Sequence, residues 1–260
     1  MKIYRFRYRK RVLHGVLKEE FLFPVKGSIF RDFTIGDSAI PMSEVRLLPP
    51  VVPTKIVGIG RNYREHAQEM GNAVPAEPLI FLKPATALIG PMAAVEYPGM
   101  SARVDYEGEL AVVIRKRTHL LRDDDPVDGH ILGYTCFNDV TARDLQMKDV
   151  QFTRAKSFDT FAAAGPCLAT GLDPGRLHLK TFLNGKLVQS GATSNLIFPV
   201  PFLVRFVSRV MTLLPGDIIA TGTPAGVGPM VPGDRVDVQV DGIGVLSNTC
   251  VRSGRDKEAS

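Results

Sequence analysis

Tryptophan is missing from this chain, and cysteine occurs three times in 260 residues. Cys136, Cys167 and Cys250 form no C-x-x-C pair and are odd in number, which argues against a disulfide framework and for a reducing, intracellular compartment. The N-terminus lacks the apolar stretch and small-residue cleavage site of a signal peptide. No apolar run is long enough to span a bilayer, because the most apolar region, Leu196 to Leu214, contains Arg205, Arg209 and two prolines. A cytoplasmic protein with no membrane partner is the expectation. A global field of one sign is lacking too. The formal charge is +5, yet six of the 32 basic residues fall within the first eleven positions with no acid among them, so the rest is nearly neutral. That distribution argues against a nucleic-acid partner.

What the chain does contain is 45% hydrophobic residues, with 24 Gly and 19 Pro scattered at short intervals. This is a globular composition, and the breakers exclude an all-helical fold. Residues 3 to 9 alternate, with Tyr4, Phe6 and Tyr8 against Arg5, Arg7 and Arg9, which predicts a strand with an apolar inner and a solvated basic outer face. Short strands and turns fill the first 45 or so residues. Leu48-Pro-Pro-Val-Val-Pro53 is a stiff connector, so the chain divides into a small N-terminal β subdomain, 1–48, and a main domain, 53–252. Within the latter, strand-like runs occur at 55–60, 79–83, 104–114, 131–137, 179–184, 217–221, 235–240 and 243–247. Asn184-Gly185 and Asp241-Gly242 read as hairpin turns. Helices are predicted over 62–70 and 202–214, the second ended by Pro215-Gly216. The fold class is α+β and predominantly β.

Val104-Asp-Tyr-Glu-Gly-Glu-Leu-Ala-Val-Val-Ile114 is the most informative segment. As one strand it projects Asp105, Glu107 and Glu109 from the same face, while its second half is apolar on both faces and therefore interior. Acids at the mouth of a buried strand suggest a hard divalent ion, Mg²⁺ or Mn²⁺; a solvated strand face is the alternative. Asp139, at a strand-to-helix junction, completes a three-carboxylate set or serves as a turn residue. His66 and Glu69 lie three apart on a short helix, so the carboxylate can orient the imidazole as a base, or the two make an ordinary surface contact. The preceding Gly58-Ile-Gly-Arg-Asn62 loop offers a hinge for a closing lid. Lys156 stabilises an enolate or delivers a proton if it lies near the metal, and is otherwise solvent-exposed. Thr221-Gly-Thr-Pro-Ala-Gly-Val-Gly228 permits close backbone approach to an anion, or a tight turn. Neither it nor Gly58-Ile-Gly60 fits a nucleotide motif, so no nucleotide cofactor is expected. His14, His119, His130 and His178 receive no role.

Seven segments in order resemble the fumarylacetoacetate hydrolase family: Gly58-Ile-Gly-Arg-Asn-Tyr-Arg-Glu-His66-Ala-Gln-Glu69, Phe81-Leu-Lys-Pro84, Tyr106-Glu-Gly-Glu-Leu-Ala-Val-Val113, Gly133-Tyr134, Asn138-Asp-Val-Thr-Ala-Arg-Asp-Leu-Gln146, Ala155-Lys-Ser-Phe158 and Gly216-Asp-Ile-Ile-Ala-Thr-Gly-Thr-Pro-Ala-Gly-Val-Gly228. They cover roughly residues 53 to 250. The resemblance implies a rolled mixed β-sheet catalytic domain, a homodimer, and a metal-dependent site. By position it implies Glu107, Glu109 and Asp139 as metal ligands, His66 and Glu69 as the water-activating pair, and Lys156 as the catalytic lysine. Arg61, Gln146 and Thr223 fall near the substrate. The N-terminal segment looks like the extension of some bacterial members, including those called 2-hydroxyhepta-2,4-diene-1,7-dioate isomerases. The family acts on small-molecule 2-oxo or 2-hydroxy-enol acids through a metal-stabilised enolate. The His66/Glu69 pair favours C–C hydrolysis of an acylpyruvate-type substrate. Dioate isomerase and 2-oxo acid decarboxylase are the alternatives, and a metal-dependent nuclease, with no E-x-K companion to its acids, is a remote one.

Overall fold

The alternation in the first strand has a structural consequence: its apolar face joins the main core. The computed structural model describes residues 1–71 and 73–254. Strand Lys2–Tyr8 buries Ile3, Tyr4 and Phe6 while Arg7 faces solvent. It pairs antiparallel with Arg11–Lys18 on one side. On the other, Lys2 and Ile3 pair with Ala169 and Leu168. The first two elements of the chain are thereby continuous with one large sheet. From Lys2–Tyr8 that sheet runs through Ala162–Ala169, Ile131–Asp139, Gly108–Ile114, Ile218–Ala220 and Lys55–Gly60 to Leu79–Pro84. Only the pairing of Ile218–Ala220 with Lys55–Gly60 is parallel along this path.

Gly108–Ile114 is buried along its whole length, as a strand apolar on both faces must be. Leu110, Val112 and Ile114 point into one core with Leu179, Val238 and Leu246 of a second, five-stranded sheet. Ala111 and Val113 point into the other, with Ile56, Phe137 and Ile218. Helix α4, Val200–Val210, closes the first core with Leu203, Val204 and Val207. The two Asx-Gly pairs do connect antiparallel strands, and Asn184, Gly185 and Gly242 all take positive φ.

Two predicted elements differ in extent, and strand Ala162–Ala169, inside the large sheet, is not among the predicted runs. The helix predicted over 202–214 ends at Val210, because Leu213 exchanges two backbone hydrogen bonds with Thr118 and pulls the chain into an extended bridge. The strand predicted over 104–114 is broken at Glu107 into Val104–Tyr106, in a small three-stranded sheet, and Gly108–Ile114. At the break, side chains replace the ladder. Glu107 N–H donates to Asn138 Oδ1 at 3.0 Å, and Gly108 N–H donates to Gln189 Oε1 at 2.9 Å. A Cβ on Gly108 would sit 2.0 Å from Thr181 Oγ1, so the chain passes beneath the second sheet only as glycine.

Phe6 is fully buried in the core that also contains Leu110 and Val112. Phe6→Ala is expected to lower the stability of the whole protein by about 3–5 kcal/mol, read as one shifted denaturation curve by both circular dichroism and tyrosine fluorescence. Two separate transitions would mean that the N-terminal strands unfold on their own.

Candidate active site

The break at Glu107 turns two side chains to the same place. Glu107 at the gap and Glu109 in the strand, with Asp139 at the end of the neighbouring strand, each bring a carboxylate oxygen within 4.8 Å of the others. All three are at least 95% buried. Carboxylates so placed repel one another and lose hydration, so they stay charged only if cations accompany them. Lys156, at the end of α3 (Thr153–Lys156), donates to Glu107 Oε2 at 2.8 Å and Asp139 Oδ2 at 2.6 Å. Lys83, wholly buried, donates to Asp139 Oδ1 at 2.5 Å and the Val140 carbonyl at 3.1 Å. Arg143, opening α2 (Arg143–Lys148), binds Glu107 and donates to Asp105 at 2.9 Å and Gln146 Oε1 at 2.5 Å. Asp105 therefore does not join the triad. It anchors Arg143 behind it, with Arg103 completing the pair from the surface.

Compensation is uneven. Burial pushes the Glu107 carboxyl up, but Lys156 and Arg143 outweigh it and hold it well below the usual carboxylate range. Among the described residues Glu109 accepts only the backbone N–H of Gly222, at 2.8 Å, and burial, Asp139 and Glu107 drive its carboxyl far up. Burial also brings the Lys83 ammonium down to about 8 against the attraction of Asp139, whereas the two carboxylates on Lys156 overcome burial and raise it. Four buried acids (Asp105, Glu107, Glu109, Asp139) thus face three buried cations (Lys83, Arg143, Lys156). Arg103 adds a fourth cation on Asp105 from the surface, and Glu109 alone of the four acids touches none among the described residues. A hard divalent ion fits this all-oxygen donor set.

Helix α1, Arg64–Glu69, stands over this cluster after the loop that leaves strand Lys55–Gly60. His66 is buried, and its Nδ1 lies 3.3 Å from Glu69 Oε2. Both Glu69 oxygens accept from Gly226 N–H, at 3.0 and 3.2 Å. Gly226 has φ +99°, and a Cβ there would lie 2.1 Å from the Val188 carbonyl, so glycine is required. The glycine-rich 221–228 loop therefore does approach anions closely. They are the protein's own Glu109 and Glu69.

One cavity of about 380 Å³ is lined by Arg61, His66, Glu107, Glu109, Asp139, Gln146, Lys156 and Thr223. Eight of the nine residues singled out by sequence meet there, and Glu69 stands behind His66. Thr223 is already occupied, donating to the Gly108 carbonyl and accepting from Gln189. Arg61, at φ +56°, has no hydrogen bond or ion pair among the described residues. Sequence reasoning missed Lys83 and Arg143, although both stand inside quoted motifs. A lysine in the middle of a strand, Leu79–Pro84, was the available signal. Phe81 and Phe152, edge to face at 5.8 Å, form an apolar side of the cavity.

Comparison with known proteins shows what the chain as a whole resembles. The description "Fumarylacetoacetate (FAA) hydrolase C-terminal" matches residues 55–251, and "Rv2993c-like, N-terminal" matches residues 1–50. The oxaloacetate tautomerase YisK of Bacillus subtilis is 43% identical over 229 residues, covering 82% of this chain and 76% of that one. The structure of 2-hydroxyhepta-2,4-diene-1,7-dioate isomerase from Mycobacterium marinum aligns with a TM-score of 0.90 at 41% identity, over 98% of this chain and 99% of that one. Fumarylacetoacetate hydrolase from Exiguobacterium antarcticum aligns at 0.87 and 36% identity, over 97% and 99%. Among the described residues no helix is long and apolar enough to cross a membrane.

If the acids hold a divalent ion, Mn²⁺ at a hundred times its dissociation constant should stabilise the protein by about 2.7 kcal/mol, and Glu109→Gln should abolish that shift. An undiminished shift in the variant would place the ion elsewhere.

Proposed function

The chain belongs to the fumarylacetoacetate hydrolase family and is an enzyme, and we propose that it moves a proton between carbon and oxygen in a 2-oxo dicarboxylic acid, a keto–enol tautomerisation. The observation that carries this reading is Arg61. Arg143 and Lys156 spend their charges on Asp105, Glu107 and Asp139, whereas Arg61 lines the cavity with no partner among the described residues and can hold a substrate's second carboxylate. The 43% identity to a protein named oxaloacetate tautomerase supports the same reaction.

A divalent ion such as Mg²⁺ or Mn²⁺, held by Glu107, Glu109 and Asp139, would supply Lewis-acid polarisation of the 2-oxo group and an anchor for the adjacent carboxylate. Glu69 fixes His66 through Nδ1, leaving Nε2 as the base that takes the proton from carbon 3. The C–H pair becomes the carbon–carbon double bond, the carbonyl π pair moves onto oxygen, and the proton held on His66 Nε2 passes to that oxygen to give the enol. Lys156, kept protonated by its two carboxylates, faces the negative charge that develops there. Gln146 holds Arg143 in place from the cavity wall. Thr223 shapes the floor. The apolar side formed by Phe81 and Phe152 limits water around the reacting carbon.

The His66–Glu69 pair favours a second reading, because the same base can activate water for C–C hydrolysis of an acylpyruvate. We extend the proposal to a homodimer working in the cytoplasm, which the three free, buried thiols support. Residues 1–48 are proposed as a small β subdomain docked on the catalytic domain, 53–252.

With Mg²⁺ present, the enzyme is expected to accelerate ketonisation of enol-oxaloacetate, followed by NMR. His66→Ala should slow it by about 10²–10⁴-fold. Arg61→Met should raise KM for oxaloacetate while leaving a monoanionic 2-oxo acid unaffected. Pyruvate and a carboxylic acid released from an acylpyruvate, with no effect on oxaloacetate, would establish hydrolysis instead.

A further inference from the structure

A second cavity, of about 610 Å³, is larger than the one around the acids and shares no lining residue with it. Its volume is that of a small-molecule site. The walls are mainly apolar, with Leu132, Leu196 and Val200, and no Lys, Arg or His side chain lines it. Asp128 and Asp173 stand exposed at its rim. Asp128 has no side-chain hydrogen bond or ion pair among the described residues. Asp173 accepts from Gly175 N–H at 3.0 Å and shares its charge with Arg176 at 3.2 Å, a solvent-exposed pair that neutralises it weakly. Tyr134 also lines the cavity. It is 94% buried, and its hydroxyl has no hydrogen-bond partner among the described residues. The ring is buried while the hydroxyl opens onto the cavity, where a ligand can reach it. Burial, and then the charges of Asp128 and Asp173, push this phenol up to about 12, which fits a hydroxyl facing both acids.

The wall of this cavity is tied to the start of α1. Ile197 N–H donates to the Asn62 carbonyl at 2.9 Å. The Asn62 side chain clamps Phe198 from both sides, donating from Nδ2 to its carbonyl at 3.0 Å and accepting its N–H at 2.8 Å. Leu196, in the wall itself, bridges to Tyr63. Asn62 and Tyr63 directly precede the helix that carries His66 and Glu69. A ligand that repositions residues 196–200 therefore moves the base of that helix.

We infer that this cavity is a second ligand site, for a small organic cation with an apolar body, and that its occupancy is transmitted through Asn62 and Tyr63 to α1. Two rim carboxylates, an unpaired phenol whose ring face attracts cations, and apolar walls recognise that class. The same charges repel 2-oxo diacids, so the site does not take a second molecule of the proposed substrate.

Phenethylammonium is the probe, titrated into the ¹⁵N-labelled full-length protein and followed by amide and histidine-ring shifts. Saturable binding is expected, with shifts at residues 128–134 and 193–201 and also at 62–70, including the His66 ring. Replacing the ammonium by the neutral hydroxyl of 2-phenylethanol, or combining Asp128→Asn with Asp173→Asn, should weaken binding about tenfold. Both substitutions are at exposed positions, so the fold is retained. Absence of saturable binding, equal affinity for the neutral probe, or shifts that stop short of residues 62–70 would overturn the inference. The shifts require no turnover, so the result is independent of the reaction proposed above.

Discussion

Four carboxylates taken out of water inside a β-sheet are the constraint from which the rest of the molecule follows. Each would be expensive alone, and close together they are worse, because burial weakens screening and strengthens repulsion together. Asp105, Glu107 and Asp139 are made tolerable by Arg143, Lys83 and Lys156, all drawn from other elements. Among the described residues Glu109 receives one backbone N–H and no cationic partner, at the wall of a cavity. That gap fits a site for a cation better than a structural ion-pair network, in which every charge would be closed.

Glycine does the second part of the positioning. Gly108 lets the acidic strand slide beneath the second sheet, and Gly222 and Gly226 bring bare backbone N–H groups up to Glu109 and Glu69. One loop thus touches both the acid cluster and the pair that orients the histidine. The helix bearing His66 has six residues and no side-chain cap. Its placement depends on what it touches: Gly226 at one end and, through Asn62, the 196–198 segment at the other. The geometry of the candidate site is held by backbone contacts between loops more than by intrinsic helix stability.

Much of this was legible before the structure, and the reasons are specific. Carboxylates on alternate residues running into a strand apolar on both faces suggest a buried, charged site over a solvated strand face, and Glu107 and Glu109 line such a cavity. The Asx-Gly turns carry their own conformational signal. What escaped depends on contacts across the chain. Lys83 meets Asp139 from 56 residues away, Arg143 meets Glu107 from 36, and Gly226 meets Glu69 from 157. Asp105 has the same spacing as its acidic neighbours, yet the break at Glu107 sends it to Arg143 instead. Local alternation cannot register a break made by distant side chains, here Asn138 and Gln189. Helix α4 stops early for the same kind of reason, a bridge to Thr118.

The most direct test of the charge argument is a crystal soaked in Mn²⁺ and measured for anomalous scattering. A single strong peak among the carboxylates of Glu107, Glu109 and Asp139, on the side facing His66, is the predicted result. No peak there, with Lys156 still bridging Glu107 and Asp139 and Glu109 paired to some other cationic group, would show the cluster to be electrostatically complete and would contradict the account.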